Sequence, residues 1–230
     1  AYAIGQFTDA ERYYQDYLES TEEGVGRWEA WSRLVDISLS VHGDFDIGAE
    51  RLEIMILEFG QDSTRRWDLL VRLAEVYEAM HEWGKATDAW QQVLNLPDLE
   101  PEQIPRIHWQ LAKIHQYSGD YDLALDALDR CLDSSQTPSV QAECLFDKSQ
   151  TLVYMKRTYE ARQLLNQILE MEGVPIERHA FAAFMLADLM EQINEYQLAE
   201  ELLMSIRDTY PHPMVVETRL KHLREVMESR

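Results

Sequence analysis

A small residue placed just after an aromatic recurs six times along this 230-residue chain, at Ala10, Gly48, Ala86, Ala124, Ala161 and Ala199. The intervals are 38, 38, 38, 37 and 38 residues. Self-similarity at one period is a strong constraint, because each copy must fold alike and bury its apolar face against the next. The stretch Ser118–Leu132 shows what is repeated. Gly119 can take the left-handed conformation that ends a helix, and Asp120 is placed to cap the next one. Tyr121 supplies a wedge and Ala124 a close contact, and Leu125, Leu128, Cys131 and Leu132 form an apolar stripe at helical spacing.

Similar stripes follow the other anchors, among them Leu52/Met55/Ile56, Trp90/Val93/Leu94, Leu165/Ile168/Leu169 and Leu203/Ile206. A second helix precedes most anchors, read from Leu70/Leu73/Ala74/Tyr77, Leu111/Ala112/His115, Leu145/Ser149/Leu152 and Leu186/Ala187/Met190. Each unit is thus a helical hairpin, and one hairpin alone leaves its apolar face uncovered, so the hairpins stack. Breakers gather between them at Ser20–Arg27, Gly60–Arg65, Leu96–Pro105, Ser134–Ser139 and Gly173–Glu177. Thr137-Pro138 reads as an N-cap followed by a first-turn proline, and Pro175 as doing the same job. No strand pattern competes, and no apolar run reaches the ~18 residues a membrane span needs.

These residues resemble the tetratricopeptide repeat, whose pattern is W-x2-L-G-x2-Y, then Ala, a large residue and Pro, over about 34 residues. Leu70, Leu73, Ala74, Tyr77, Ala86, Trp90 and Pro97 follow it, as do Leu186, Ala187, Met190, Tyr196, Ala199, Leu203 and Pro211. The resemblance covers essentially the whole chain. Two departures stand out. The period is 38 rather than 34, and the second unit carries one extra residue, since Trp31 and Leu34 fit while Phe45 and Gly48 are shifted by one. The implied fold is all-α, a right-handed α-solenoid of stacked antiparallel helical hairpins. It is expected as one domain over residues 1–230, with about six repeats.

The ends differ from the middle. Residues 1–4 leave room only for the tail of a leading helix before Gly5, so the first repeat is incomplete and Tyr13, Tyr14, Tyr17 and Leu18 are expected partly uncovered. A native chain that continues upstream would cover them; a homodimer through this face is the alternative. Residues 214–230 are expected to form a capping helix, with Val216, Leu220, Leu223 and Met227 inward and Arg219, Lys221, Arg224, Glu225 and Glu228 outward.

Charge limits the partners. With 42 acidic against 21 basic residues the net charge is −21, and no Lys/Arg cluster exists for phosphate, which argues against nucleic acid and anionic membrane surfaces. The excess is steepest from Asp9 to Asp62, where fourteen acidic residues meet four arginines, a solvated surface or one that steers basic partners. Cys131 and Cys144 occupy stripe positions without a CxxC pair and are expected as buried thiols packing like small hydrophobes; they do not settle the compartment.

No catalytic constellation is legible, and neither a metal nor a cofactor is expected. His108 and His115 share a helix face without a third ligand at suitable spacing, and His81-Glu82 lacks the second His of a zinc-protease helix. Asp44/Asp46 and Asp120/Asp122 stand at turns, where capping explains them. Gly24-Val25-Gly26 lacks the Lys of a phosphate cradle.

The resemblance implies instead that the first helices of successive hairpins line a concave, peptide-binding face. Mapped by repeat position, its residues include Arg72 and Glu75, then Trp109, Lys113 and Tyr117, then Phe146, Gln150 and Tyr154, then Phe181, Phe184 and Asp188. The Lys/Asn clamp that some members use for a terminal carboxylate is absent. What is present is an aromatic series with acidic neighbours. It serves either as packing between helices or as a groove for a peptide with apolar anchors and basic flanks. The expected function is a non-enzymatic protein–protein interaction scaffold or assembly factor. The alternative is a recruiting or regulatory module of a larger enzyme or membrane-anchored protein.

Overall fold

Five of the six described residues with left-handed backbone punctuate the structure, a computed structural model that describes residues 7–228, and the sixth, Gly173, stands outside their series. Gly43, His81, Gly119, Lys156 and Asn194 have φ between 59° and 85°. Their positions step by 38, 38, 37 and 38 residues, in phase with the small-residue anchors. Each closes the first helix of a hairpin so that the chain reverses within two or three residues. Only two are glycine, so three hairpins hold a side chain where it costs energy. The anchors themselves are buried in every copy, from Ala10 to Ala199, because two helix backbones approach most closely there.

The chain divides into two compact units, Ala1–Glu100 and Pro101–Arg230. The first holds α1 (Phe7–Ser20), α2 (Arg27–Asp36), α3 (Phe45–Phe59), α4 (Ser63–Ala79) and α5 (Trp83–Leu94), each packed on the next. Between α2 and α3 the helix widens into a π-helical turn, Ile37–His42. A π turn absorbs an added residue without ending the helix, which accounts for the one-residue shift in the second repeat. Leu39 in that turn lies where a Cβ on Gly48 would meet its Cδ2 at 2.3 Å, so this anchor is glycine where the others are alanine. The guanidinium of Arg51 is buried behind the turn. Its Nη1 donates to the Leu34 carbonyl (2.7 Å) and the Ser38 hydroxyl, and its Nη2 to Glu11 (2.7 Å).

The second unit holds α6 (Ile104–Ser118), α7 (Tyr121–Ser134), α8 (Pro138–Tyr154), α9 (Thr158–Glu170), α10 (Ile176–Gln192), α11 (Tyr196–Ser205) and α12 (Pro213–Glu228). Successive helices pack on one another, and the first helices also meet directly, α6 on α8 and α8 on α10. Ala161, Leu165, Ile168, Ala183, Leu186, Leu203 and Val216 form part of its apolar core.

Several expectations change. Asp44 caps α3 by accepting from the Ile47 amide (3.1 Å), but Asp120 caps nothing; its carboxylate accepts from the Ser118 hydroxyl (2.7 Å) instead. Pro138 opens α8 as expected, whereas Thr137 makes no capping bond and Pro175 lies one residue before α10. Cys131 and Cys144 are wholly buried but not thiols: they form a disulfide, Cα to Cα 6.2 Å. They are thirteen positions apart, and the chain between them turns from the end of α7 into α8, which brings both side chains to the same contact.

At the start, Tyr13 is 60% exposed, while Tyr14, Tyr17 and Leu18 are half-buried. Tyr17 is covered by the α1–α2 loop, its hydroxyl 2.7 Å from where a Cβ on Gly26 would stand. The expected tail of a leading helix falls in residues 1–6, outside the described residues. In α12, Val216, Leu220 and Leu223 are buried as expected. Arg219 is not on the outer face; it reaches back to α10, because two carboxylates and an aromatic face await it there.

Candidate functional site

Two faces of α8 and α10 enclose an open cleft of about 500 Å³. From α8 come Phe146, Gln150, Val153 and Tyr154, and from α10 Arg178, Phe181, Phe184, Met185 and Asp188. Both sets follow the three- and four-residue steps that put side chains on one helix face. Tyr210, in the loop after α11, completes the lining. The rings interlock, Phe181 edge-on to Tyr210 (5.4 Å) and Phe184 stacked on it (4.8 Å), with Phe146 and Phe181 6.5 Å apart. Tyr154 stacks on Tyr121 of α7 (5.8 Å) and is 61% exposed.

Charge at the cleft is paired within the chain. Arg178 lies over the Phe146 ring (5.4 Å) and donates to Glu143 (3.1 Å). Arg219 lies over Phe184 (5.4 Å) and donates to Asp188 and to Glu191 (3.1 Å). Burial pushes the Glu191 carboxyl up and the Arg219 guanidinium down from their ordinary values.

Six of the residues expected on the binding face, Phe146, Gln150, Tyr154, Phe181, Phe184 and Asp188, are brought together here. Others are placed elsewhere. Trp109 donates its indole N–H to Asp147 of α8, and Lys113 sits 4.6 Å over the Trp109 ring, so this pair ties α6 to α8. Gln116 adds a bond to the Thr151 hydroxyl (2.7 Å). Burial raises the Asp147 carboxyl, opposed by the Trp109 bond and by Arg178 and Lys113. Tyr117 is exposed at the end of α6. In the first unit, Arg72 pairs with Asp36 of α2 (2.5 Å) and Glu75 is exposed on α4.

Sequence inspection missed Arg178, Val153, Met185 and Tyr210. The first three carry a signal, since they stand three or four residues from Phe181 or Gln150 on the same helix faces. Tyr210 carries none, because Tyr210-Pro211-His212-Pro213 looks only like a stop. Among the described residues no group of His, Cys, Asp and Glu is arranged to hold a metal ion, and no helix is long and apolar enough to cross a membrane.

No family model matches the sequence, and comparison with curated proteins finds no match. Solved structures do match. BtubC (BKLC) from P. vanneervenii is similar over 99% of this chain and 91% of its own, at 15% identity and a TM-score of 0.62. A tetratricopeptide repeat protein from Parabacteroides merdae matches over 94% and 74%, at 15% identity and 0.61. YrrB, described as a TPR protein with an unusual peptide-binding site, matches over 90% and 97%, at 15% identity and 0.56. With helical hairpins throughout, left-handed closures in phase with buried small anchors, and these neighbours, the chain is a tetratricopeptide-like repeat protein in fold.

Proposed function

We propose that this protein is a non-enzymatic protein–protein interaction scaffold that holds a peptide segment of a partner in the α8–α10 cleft. The observation that carries this reading is the joining of Phe146, Phe181, Phe184, Tyr154 and Tyr210 along one open cleft. Clustered aromatics that are only partly covered are the usual anchors of peptide recognition. The segment is apolar at its centre, because Asp188 and Glu143 are already paired with Arg219 and Arg178. Basic residues farther out would be drawn by the net charge of −21.

Peptides selected from a display library on the full chain test this. They should lose binding to Tyr154→Glu and Gln150→Arg, whose side chains line the cleft, and retain it for Glu75→Arg on the other unit. Unfolding midpoints should stay unchanged in all three variants. Selected peptides that bind all three equally would place recognition elsewhere and end this reading.

A further inference from the structure

We propose that the first unit carries a docking surface of its own, a groove over α2 that takes an apolar segment of a partner protein flanked by lysine or arginine. It lies outside the α8–α10 cleft and does not rest on the reading given for that cleft. Three helix faces build it, since α1 and α3 each pack on α2. Trp31 and Leu34 of α2 form the floor, with Leu18 on the α1 wall and Ile47 and Ile54 on the α3 wall, around about 380 Å³. Leu34 is fully buried, while Ile47 at the rim is 41% exposed. An apolar floor inside a polar rim is the usual build of a protein interface.

Charge selects the occupant. Four charged side chains line the groove, and its two cations are spent within the chain. Arg27 donates to Glu58 (2.7 Å) and to the Leu18 carbonyl (2.8 Å), and Arg51 donates to Glu11 (2.7 Å). The two lining carboxylates, Glu19 on α1 and Glu50 on α3, are exposed and make no ion pair among the described residues. Nothing in the acidic stretch around them cancels these charges. All four of its arginines, Arg12, Arg27, Arg33 and Arg51, are paired with carboxylates of that same stretch. A neutral apolar segment would cover Glu19 and Glu50 with nothing to replace the water they lose, and an acidic one would be repelled. A segment with a cation on each side of its apolar residues meets both walls. A second copy of a chain carrying −21 is a poor occupant, because like charges repel.

The repeat supplies a comparison. Over α10, between α9 and α11, a groove of about 400 Å³ is lined by Leu186, Met190, Leu198 and Leu202 with one carboxylate, Glu201. An apolar trough between successive second helices therefore belongs to the stacking of hairpins. Open carboxylates on both walls belong to the first unit's groove and not to this one.

Calorimetry on the full chain with acetyl-Lys-Lys-Leu-Phe-Leu-Lys-Lys-amide tests the assignment. This peptide should bind about tenfold or more tighter than its counterpart with glutamates for lysines, and about three- to tenfold tighter than the one with serines. Glu19→Gln combined with Glu50→Gln should weaken it about three- to tenfold, and Ile47→Ser roughly tenfold, with unfolding midpoints unmoved. Asp68→Asn combined with Glu75→Gln removes two exposed carboxylates from α4 of the same unit and should change nothing. If that control weakens binding as much, the attraction is the charge of the chain at large and the proposal falls. It falls too if Ile47→Ser binds normally, if the serine peptide binds as well as the lysine peptide, or if the lysine peptide does not bind. Loss on Tyr154→Glu alone would put the peptide in the α8–α10 cleft, overturning this surface and leaving the cleft reading intact. A dimer in sedimentation that Ile47→Ser breaks would give the groove to a second copy and overturn the assignment.

Discussion

Aromatic side chains serve different ends in the two units. In Ala1–Glu100 the polar tips of three large rings are spent on carboxylates, Trp31 on Glu58, Tyr77 on Glu53 and Trp90 on Glu78. Other rings of this unit do not follow: the Trp67 indole nitrogen is buried without a partner and Tyr13 is 60% exposed. In Pro101–Arg230 Trp109 is spent the same way on Asp147, but Tyr154 and Tyr210 gather with three phenylalanines while their hydroxyls stay uncommitted. A ring whose polar end is satisfied within the chain works as a strut. One that packs sideways on its neighbours with its tip open makes a surface. Both units are acidic, the first more steeply, with 21 carboxylates against 8 Lys and Arg where the second has 21 against 13; what separates the aromatic sets is where the carboxylates stand.

The largest test of this contrast concerns the first unit, whose frame depends on buried charge. Arg51→Met strands Glu11, the Leu34 carbonyl and the Ser38 hydroxyl behind the π turn. It should cost about 3–5 kcal/mol, read by urea unfolding. A loss below 1 kcal/mol, on the order of a surface pair, would mean that water reaches the site.

The second unit depends on a covalent tie instead. Thiol titration of the denatured, unreduced chain should find no free thiol, since Cys131 and Cys144 are bonded. Reducing a bridge that spans thirteen residues should lower the stability of this unit by about 3 kcal/mol. Reduction should leave the first unit untouched, which proteolysis of each half can follow separately.

A smaller effect comes from pH. Burial holds His108 and His115 below the ordinary imidazole value of 6.5. Both stay neutral in the folded unit where the unfolded chain would already take up protons, so stability is lost as pH falls through 6.5 toward their lower folded values. Asp147 and Glu191 act in the opposite sense. Their carboxyls are raised by burial, so the stability they contribute is present at low pH and lost as pH rises through those raised values. Replacing both histidines with glutamine should flatten the acid side of a midpoint-against-pH curve. An unchanged curve would assign the loss to other groups.

The smallest expected effect is one the units share. Lys156 and His81 occupy left-handed positions that Gly43 and Gly119 fill elsewhere. Lys156→Gly and His81→Gly should each stabilise by about 1 kcal/mol, seen as a rise of a few degrees in Tm. Destabilisation would show that the side chains repay the strain through contacts.

Much of the frame was legible because it is built from short-range regularities. The anchors were all recognisable, and each is buried at a helix contact. Gly119 does close its helix in the left-handed region. The extra residue of the second repeat was visible as a slipped register, yet a loop or a widened turn would shift the register equally, and local sequence does not choose between them. The cleft was half legible. Phe146, Gln150, Tyr154, Phe181, Phe184 and Asp188 followed from repeat position, whereas Trp109 and Lys113, equal to them by position, are spent against α8. Asp120 likewise looks like a cap until Ser118 is seen to take its carboxylate.

The sequence by itself determined the repeated hairpin, because small anchors, apolar stripes and turn residues act within one or two helices of their own position. Tertiary structure alone decided which polar ends are spent and which are open. It bonded Cys131 to Cys144, drew Arg219 back across 31 residues to Asp188, and set Tyr210 against Phe184. Those outcomes depend on side chains that only helix packing brings into contact, and no local pattern of residues encodes that meeting.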